Sequence, residues 1–170
     1  MLSFVNLVID RLTISQYAQR VSFVSYGDRA IVDFRFNAYN NAQSVKQRVS
    51  SINYLGHAGS NLADALDAIR NQVFLTSSGA RSWAPRVAVV VADRSPTIRA
   101  QQTVSAATQA RAARIQIIPV GVIVSGRLVR SILDQIASER ARVTIVYDYN
   151  QLAGVASQVA GYVCNSHLGE

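Results

Sequence analysis

The chain has 170 residues and a formal net charge of +7, from 17 basic and 10 acidic side chains. This length predicts a single domain with one hydrophobic core, and a hydrophobic content of 49% excludes a disordered or collagen-like chain. Lys46 is the only lysine, so nearly all of the positive charge is guanidinium. Guanidinium groups favour bidentate contacts with carboxylate, sulfate, phosphate or carbonate.

Membrane insertion and metal binding through sulfur are both disfavoured by the sequence. No apolar run reaches the ~20 residues of a membrane-spanning helix. Leu2 to Ile9 is predicted to be an amphipathic helix rather than a signal peptide, because no basic residue precedes it. Cys164 is the only cysteine and there are two histidines, which excludes a disulfide within the chain and a zinc site built from Cys and His.

The first half of the chain is predicted to contain three helices and a hairpin. Helical spacing of apolar residues predicts a first helix that ends near Thr13. Alternating apolar residues on either side of a Gly-Asp turn predict a β-hairpin from residues 20–26 and 30–36. Residues 42–52 and 62 to about 74 are expected to be helical.

The second half alternates between strand and helix patterns. Residues 86–92 (RVAVVVA) form an apolar run, which is typical of a parallel strand buried on both faces. The run is followed by a helix, a strand, a helix, a strand and a helix, at residues 97–113, 116–122, 128–138, 143–147 and 150–163. This order predicts an open, doubly wound, mostly parallel α/β sheet with an antiparallel hairpin strand at its edge and helices on both faces. Residues 1–170 are expected to form one domain.

The predicted sheet has no strand ahead of its first helix. In a doubly wound fold the first strand usually lies at the centre of the sheet. Two explanations are open: the first strand is not part of this sequence, or the sheet is built differently.

Seven segments resemble, in order, the von Willebrand factor type A domain, especially the type found in extracellular matrix proteins and collagens. The similarity is collinear over almost the whole chain, and it implies the family's Rossmann-like fold. The segments are 20–26 (RVSFVSY), 52–56 (INYLG) with 59–66 (GSNLADAL), 79–81 (GAR), 86–93 (RVAVVVAD), 118–122 (IPVGV), 133–138 (LDQIAS) and 149–155 (YNQLAGV).

The resemblance implies a divalent-cation site, the metal ion-dependent adhesion site. In the family this site uses a D-x-S-x-S loop after the first strand, a Thr before the third helix and the Asp of a T-D-G motif. Ser60 matches the Thr and Asp93 the Asp, and such oxygen donors suit Mg²⁺ or Ca²⁺. The D-x-S-x-S loop would lie ahead of Met1, so an incomplete site is expected here. We also expect either residues ahead of Met1 or a first strand supplied in trans.

Three further residues are expected to contact a ligand at this edge: His57, Asn61 and Arg94. Arg94 stands where the family usually has Gly. It could pair with Asp93, repel an incoming cation or point into solvent. For His57 the alternative is an exposed loop histidine without a ligand.

Cys164 and four arginines complete the candidate residues. In extracellular members of the family a cysteine at this place often pairs with one just before the first strand, so the partner of Cys164 would lie ahead of Met1; a free thiol is the alternative. We predict a polyanion-binding surface, with a solvated surface as the alternative, for Arg111, Arg114, Arg127 and Arg130.

The resemblance implies the leading hypothesis, which is an adhesion module of a secreted, extracellular-matrix protein. The module is expected to be non-catalytic, because no catalytic constellation of residues is evident. It would bind collagen or another fibrous or acidic polymer, with or without a cation, as part of a larger multidomain protein. One alternative is a structural protein of a secreted composite such as shell or byssus, which would bind polyanion or mineral and carry a vestigial metal site. Another is an intracellular scaffold. A nucleic-acid partner is not expected, since no stacking aromatic residues accompany the arginines.

Overall fold

Helices and strands alternate along the chain, in a computed structural model that describes residues 1–53 and 58–166. The helices are α1 (Leu2–Ile9), α2 (Ala42–Ser50), α3 (Leu62–Ala68), α4 (Thr103–Ala112), α5 (Arg130–Ile136) and α6 (Leu152–Cys164). The strands are β1 (Phe23–Tyr26), β2 (Ala30–Phe34), β3 (Arg86–Ala92), β4 (Ile115–Val122) and β5 (Thr144–Val146). A π-helical turn, Ile69–Val73, continues α3.

The predicted elements are present, and the largest difference in boundaries concerns α4. Its predicted start lies at Thr97, but the helix begins at Thr103. The backbone N–H groups of Thr97 and Ile98 donate instead to the carbonyl of Ser60. Arg99 then takes a left-handed conformation with φ of 52°. These tertiary bonds outweigh the helix propensity of the segment.

The strands form two sheets. β3, β4 and β5 pair in parallel and in that order, and Val89 lies opposite Ile118 in the register. β1 and β2 pair antiparallel as the predicted hairpin, with Tyr26 opposite Ala30. The α/β class and the mostly parallel sheet are therefore confirmed. Among the described strands, however, the hairpin forms no backbone ladder with β3, so the expected single sheet is divided between β1 and β3.

Helices cover both faces of the parallel sheet. α1 and α6 pack on one face, in a buried cluster that includes Phe4, Val120 and Val159. α3, α4 and α5 pack on the other, around Leu66 and Ile117. Each parallel connection thus places its helix back against the sheet, as right-handed crossovers require.

A third cluster joins the hairpin to the helices beside it. Phe34 of β2 packs there with Ile9 of α1 and with Val45 and Val49 of α2. The side chain of Asn41 caps α2 by accepting the N–H of Ser44 at 2.8 Å. In the part of the chain that is described, none of the helices combines the length and hydrophobicity that crossing a membrane requires.

Candidate functional site

The candidate site lies at the edge of the parallel sheet where β3 ends. Asp93 directly follows β3, and Ser60 lies in the loop that leads into α3. Both residues line the same cavity as Arg94, Arg127 and Tyr149. The carboxyl edge of an open α/β sheet is the usual place for a ligand in this class of fold.

Ser60 is held in place through its backbone. Its N–H donates to the hydroxyl of Thr97 at 2.9 Å. Its carbonyl accepts the N–H groups of Thr97 at 2.9 Å and of Ile98 at 3.2 Å. The side chain is almost fully buried, with 3% of the residue exposed. The loop before α3 is therefore fastened to the loop after β3.

Asn61 is buried and shapes the same loop. Its side-chain oxygen accepts the N–H of Asp64 at 3.1 Å, which caps α3. Its side-chain nitrogen donates to the backbone carbonyl of Asp28 at 3.0 Å. Its backbone N–H donates to the backbone carbonyl of Gly27 at 2.8 Å. Asn61 thus joins the turn of the hairpin to α3, and its predicted contact with a ligand stays a prediction.

Asp93 is engaged on both of its carboxylate oxygens. Oδ2 accepts the hydroxyl hydrogen bond of Tyr149 at 2.6 Å. Oδ1 lies 3.6 Å from Nε of Arg94, an ion-pair distance. Nη1 of Arg94 donates in turn to the carbonyl of Ala58 at 2.8 Å. Of the three interpretations of Arg94, the structure shows the one in which it pairs with Asp93.

The Asp93 carboxylate also changes the acidity of two tyrosines. The hydrogen bond to Asp93 is the largest cause that raises the pKa of Tyr149 to about 12, followed by burial of the phenol and by the negative charge of Asp93. The positive charges of Arg94 and Arg127 oppose this shift. Burial, followed by the charge of Asp93, raises the pKa of Tyr26 well above its usual value. Both phenols therefore keep their protons to a higher pH than an unperturbed tyrosine does.

The described residues do not by themselves fit a divalent cation. Mg²⁺ needs near-octahedral coordination by oxygen, whereas Ser60 and Asp93 bring one hydroxyl and one carboxylate. The carboxylate is already bonded to Tyr149 and paired with Arg94. Among residues 1–53 and 58–166, no three side chains of His, Cys, Asp or Glu come together in a way that could hold a metal.

The four arginines of the predicted polyanion-binding surface lie in two separate pairs. Arg111 and Arg114 are at the end of α4 and just before β4, whereas Arg127 and Arg130 follow β4 at its other end. Eight strand residues separate the two ends, a rise of about 26 Å. The structure therefore does not bring the four side chains together.

These arginines also differ in their contacts. Nη1 of Arg111 donates to the carbonyls of Ile136 at 2.7 Å and Gln135 at 3.2 Å, at the end of α5. Arg130 pairs with Asp134 at 3.6 Å and remains 61% exposed along its side chain. Arg111 thus stabilises a helix terminus, and the anion-binding role of all four stays a prediction.

The predictions for two other residues, Cys164 and His57, are not tested by the structure. Cys164 lies in the last turn of α6 as an exposed free thiol, and its pairing with a cysteine ahead of Met1 stays a prediction. His57 lies outside the described residues. Its expected contact with a ligand likewise stays a prediction.

Sequence reasoning missed two residues that contact the predicted ones. Tyr149 holds Asp93, and Thr97 holds Ser60. Tyr149 follows β5, and the carboxyl ends of parallel strands share one edge of the sheet. That rule, applied to the polar residues after β5, would have indicated Tyr149. Nothing in the local sequence indicates Thr97, because it lies inside the segment predicted to be helical.

Comparisons with known proteins agree with this fold. The family description "von Willebrand factor type A domain" matches residues 1–158. Human matrilin-4 is 31% identical over 167 residues, which cover 95% of this chain and 26% of matrilin-4. Mouse matrilin-3 is 33% identical over 123 residues, which cover 71% of this chain and 25% of matrilin-3. The chain thus spans about a quarter of the length of these relatives.

A solved structure shows the same fold at lower sequence identity. Proximal thread matrix protein 1 from the mussel byssus, in a form with a zinc-occupied metal ion-dependent adhesion site, superimposes with a TM-score of 0.90. The sequence identity is 16%, and the match covers 96% of this chain and 42% of that protein.

The matrilin relatives confirm the predicted extracellular-matrix class and the secreted location. This chain belongs to the von Willebrand factor type A domain family.

Proposed function

We propose that this domain is a non-catalytic adhesion module that binds an acidic or fibrous matrix polymer at the edge formed by Ser60, Asp93 and Arg94. Collagen and sulfated glycans are the polymer classes to test first. The proposal is supported by membership of the family, by the matrilin relatives and by the position of Arg94 at the end of β3.

The observation that carries the proposal is the fixed guanidinium of Arg94. Its contacts with Asp93 and with the carbonyl of Ala58 hold it between the two loops of the candidate site. Arg127, which is exposed, lies near enough for its charge to act on Tyr149. The charges that act on Tyr149 are thus two guanidinium groups and one carboxylate, which is an excess of positive charge around this phenol. An anionic group of a polymer can therefore dock here without a bridging cation.

A cation-dependent mode needs more ligands than the described residues supply. A divalent cation, Mg²⁺ or Ca²⁺, would take one oxygen each from Ser60 and Asp93 and would have to displace the hydroxyl of Tyr149 or the guanidinium of Arg94. Its other ligands would come from water, from the polymer or from additional polypeptide. We therefore expect binding by the 170-residue chain to be largely independent of divalent cations.

Solid-phase binding to immobilised collagen and to heparin tests the proposal. Binding would be measured in Mg²⁺, in Ca²⁺ and in EDTA, across a range of salt concentrations. Arg94→Gln should weaken binding about tenfold, the loss expected when a charge-assisted contact is removed. Asp93→Asn removes the carboxylate that competes with a polymer for Arg94, while the carbonyl of Ala58 still holds the guanidinium, so the direct mode should not weaken. The same substitution should abolish any increase in binding caused by cations.

Arg140→Gln is the matched control, because Arg140 is exposed and lies ahead of β5, at the opposite edge of the sheet. Equal losses from the Arg94 and Arg140 substitutions would indicate diffuse charge attraction rather than a site. If the unmodified chain bound neither polymer under any of these conditions, the proposal would be wrong.

A second candidate function is that of a structural protein in a secreted composite, held to polyanion or mineral by its arginines. The exposed Arg114, Arg127 and Arg130 favour it, since they lie at both ends of the sheet and could contact an extended surface. Adsorption to carbonate mineral tests this function. It would be supported if adsorption were steeply salt-dependent and insensitive to EDTA pretreatment of the protein. Substitution of each of these arginines should then reduce adsorption equally.

A further inference from the structure

Two exposed aromatic side chains lie at the amino edge of the sheet, which is the edge where β3 begins. Trp83 precedes β3 and is 65% exposed, and Tyr17 precedes β1 and is 83% exposed. Nη1 of Arg81 donates to the backbone carbonyl of Tyr17 at 3.3 Å, which brings the two segments into contact. The seven residues of β3, a rise of about 23 Å, separate this edge from Asp93. This surface is therefore distinct from the candidate site.

Two guanidinium groups are fixed beside these aromatic side chains. Arg20 donates to the backbone carbonyl of Gly79 at 2.9 Å, and Arg81 donates to that of Ala18. Each guanidinium group uses two of its five N–H groups on backbone carbonyls, which leaves three donors for a ligand. Because the carbonyls already orient both groups, a ligand that binds them would immobilise little additional side chain.

Neither of these positive charges is neutralised by a carboxylate. None of the ion pairs between described residues includes Arg20 or Arg81. The pKa of Arg81 is lowered, first by burial and then by the positive charge of Arg20, so the two guanidinium groups lie close enough to repel each other. At the candidate site, by contrast, Arg94 pairs with Asp93. Two like charges held together without a counter-ion favour an anionic partner.

The indole ring of Trp83 is held by one of the two guanidinium groups. Cζ of Arg81 lies over the ring, 4.6 Å from its centroid, in a cation–π contact that covers part of one face. The rest of the ring is open to solvent and can receive an apolar or aromatic side chain. Trp, Tyr and Arg are the residue types that most often anchor protein–protein interfaces. We call Tyr17, Arg20, Arg81 and Trp83 the amino-edge patch.

The distribution of charge favours a short polypeptide segment over an extended polyanion as the occupant of this patch. An extended polyanion gains affinity from many free cations in a row. Arg86 and Arg111, at the same edge, instead donate to carbonyls at the ends of α4 and α5, and Arg142 pairs with Glu139 at 3.0 Å. Free guanidinium groups are thus interrupted along the edge, whereas the amino-edge patch concentrates two of them beside an indole ring.

A second copy of this chain is a poor source of the matching carboxylates. Six acidic side chains of the described residues are already in ion pairs, and exchanging one exposed ion pair for another gains little free energy. These side chains are Asp10, Asp64, Asp67, Asp93, Asp134 and Glu139. The carboxylates that match the amino-edge patch are therefore expected from a different protein.

We propose that the amino-edge patch docks a short acidic segment of another protein. Carboxylates of the segment bind the free N–H groups of Arg20 and Arg81, and an apolar or aromatic side chain of the segment packs on Trp83. A domain with this patch at one edge and the candidate site at the other can join two partners. The proposal does not depend on which polymer binds beside Arg94.

Selection from a phage-displayed library of random short peptides tests the proposal, with the 170-residue chain as the target. The selected peptides should be rich in Asp and Glu beside an apolar or aromatic residue. Binding of a synthetic copy of the most enriched peptide should weaken as salt increases, because salt screens exposed charges. Fluorescence anisotropy of the labelled peptide measures its affinity for the chain and for each variant.

Two substitutions in the patch and two outside it distinguish a site from general attraction. Trp83→Ala should weaken binding of the peptide roughly tenfold or more, the loss typical of an interface anchor, and it should not disturb folding because the side chain is largely exposed. Arg81→Lys keeps the charge but loses the planar fork, and it should weaken binding roughly threefold or more. The matched controls, Tyr147→Ala and Arg140→Gln, replace exposed residues outside the patch and should change binding less than about twofold.

Four other outcomes would overturn the proposal. Equal losses from the Arg81 and Arg140 substitutions would show diffuse attraction by charge. Selected peptides without acidic residues would show that the patch is not the preferred docking surface. Heparin binding that is lost in Trp83→Ala, with no peptide selected, would identify a glycan as the occupant, and self-association lost in that variant would identify a second copy.

Arg94→Gln keeps this proposal separate from the proposed function. It should leave binding of the selected peptide unchanged while it weakens binding of the polymer. A peptide that depends on Arg94 and not on Trp83 would place the acidic partner at the candidate site and would likewise overturn the inference.

Discussion

Two neighbouring strands, β4 and β3, have similar apolar sequences but very different surroundings. β4 (IQIIPVGV) has a strand on each side, and all but one of its residues are buried. β3 (RVAVVVA) pairs only with β4 among the described strands, and four of its seven residues are only partly buried. Composition is therefore a poor guide to burial here, because burial depends on how many neighbours the strand has.

This difference divides the domain into two regions. The closed side consists of β4 and β5 with α4, α5 and α6. The open side consists of β1, β2 and the edge of β3 that faces β1 across a cleft lined by both strands. An unpaired backbone group that is buried costs about 1–3 kcal/mol, so the open side is where local unfolding should begin. Three predictions test this division, from the largest expected change in stability to the smallest.

Gly121→Ala should destabilise the closed side by about 3 kcal/mol, the upper end of the usual cost of overpacking a core. Gly121 lies in β4, and a Cβ there would stand 2.4 Å from Cδ1 of Leu133 and 3.0 Å from Cδ2 of Leu128. Both leucines are buried, so neither can move aside freely. Urea unfolding at equilibrium measures the change.

Gly161→Ala is the control for this substitution. Gly161 lies within α6, and a Cβ there would meet nothing within 4 Å. This replacement should raise the free energy of unfolding by up to about 1 kcal/mol through helix propensity. A neutral Gly121→Ala variant would show that the closed side is less tightly packed than the structure indicates.

The same substitution made in β4 and in β3 should have unequal effects. Val120→Ala removes a fully buried side chain from the closed side and should cost about 2 kcal/mol. Val89→Ala removes a half-buried side chain beside the cleft and should cost less than about 1 kcal/mol. Urea unfolding of the two variants compares them directly. Equal losses would mean that the cleft is closed in solution.

Tyr149→Phe should have the smallest effect on stability, and one that depends on pH. Because the folded state raises the pKa of Tyr149 to about 12, above the usual value of about 10, the native protein keeps this proton longer than the unfolded chain does. The stabilisation is therefore fully present below about pH 10 and is lost as the pH rises toward 12. Urea unfolding on both sides of pH 10 should show a shallower decline in the variant.

Tyrosinate absorbance supplies an independent check on this residue. Tyr149→Phe should remove one late-titrating phenol, while Tyr26 still titrates late in the variant. Tyr147→Phe is the control, because Tyr147 is 68% exposed. If both substitutions gave the same titration curve and the same pH dependence of unfolding, the bond between Tyr149 and Asp93 would not persist in solution.

The sequence predicted elements better than it predicted the contacts between them. A continuous apolar run located β3, and the Gly-Asp turn located the hairpin, because both signals are local. The start of α4 was misplaced, since Thr97 bonds to Ser60, which is 37 residues away along the chain. Similarly, no local pattern indicates that the guanidinium of Arg111 donates to carbonyls at the end of α5.

The candidate site shows the same limit. Its two predicted oxygen donors, Ser60 and Asp93, came from motifs that resemble the family's. The motifs do not indicate that the Asp93 carboxylate accepts a hydrogen bond, because the donor is Tyr149, which is 56 residues away along the chain. A motif indicates which side chain stands at a position, but partners brought together by folding decide whether that side chain is available to a ligand.

The sequence by itself determined the α/β class, the order of the strands and helices, the family and the excess of arginine. Those properties follow from local periodicity, from short motifs and from counting. Only the tertiary structure decided that the sheet is divided between β1 and β3, that Arg94 pairs with Asp93 and that the four arginines lie at opposite ends of β4. These properties depend on the distances between segments far apart in the chain, which no local pattern records.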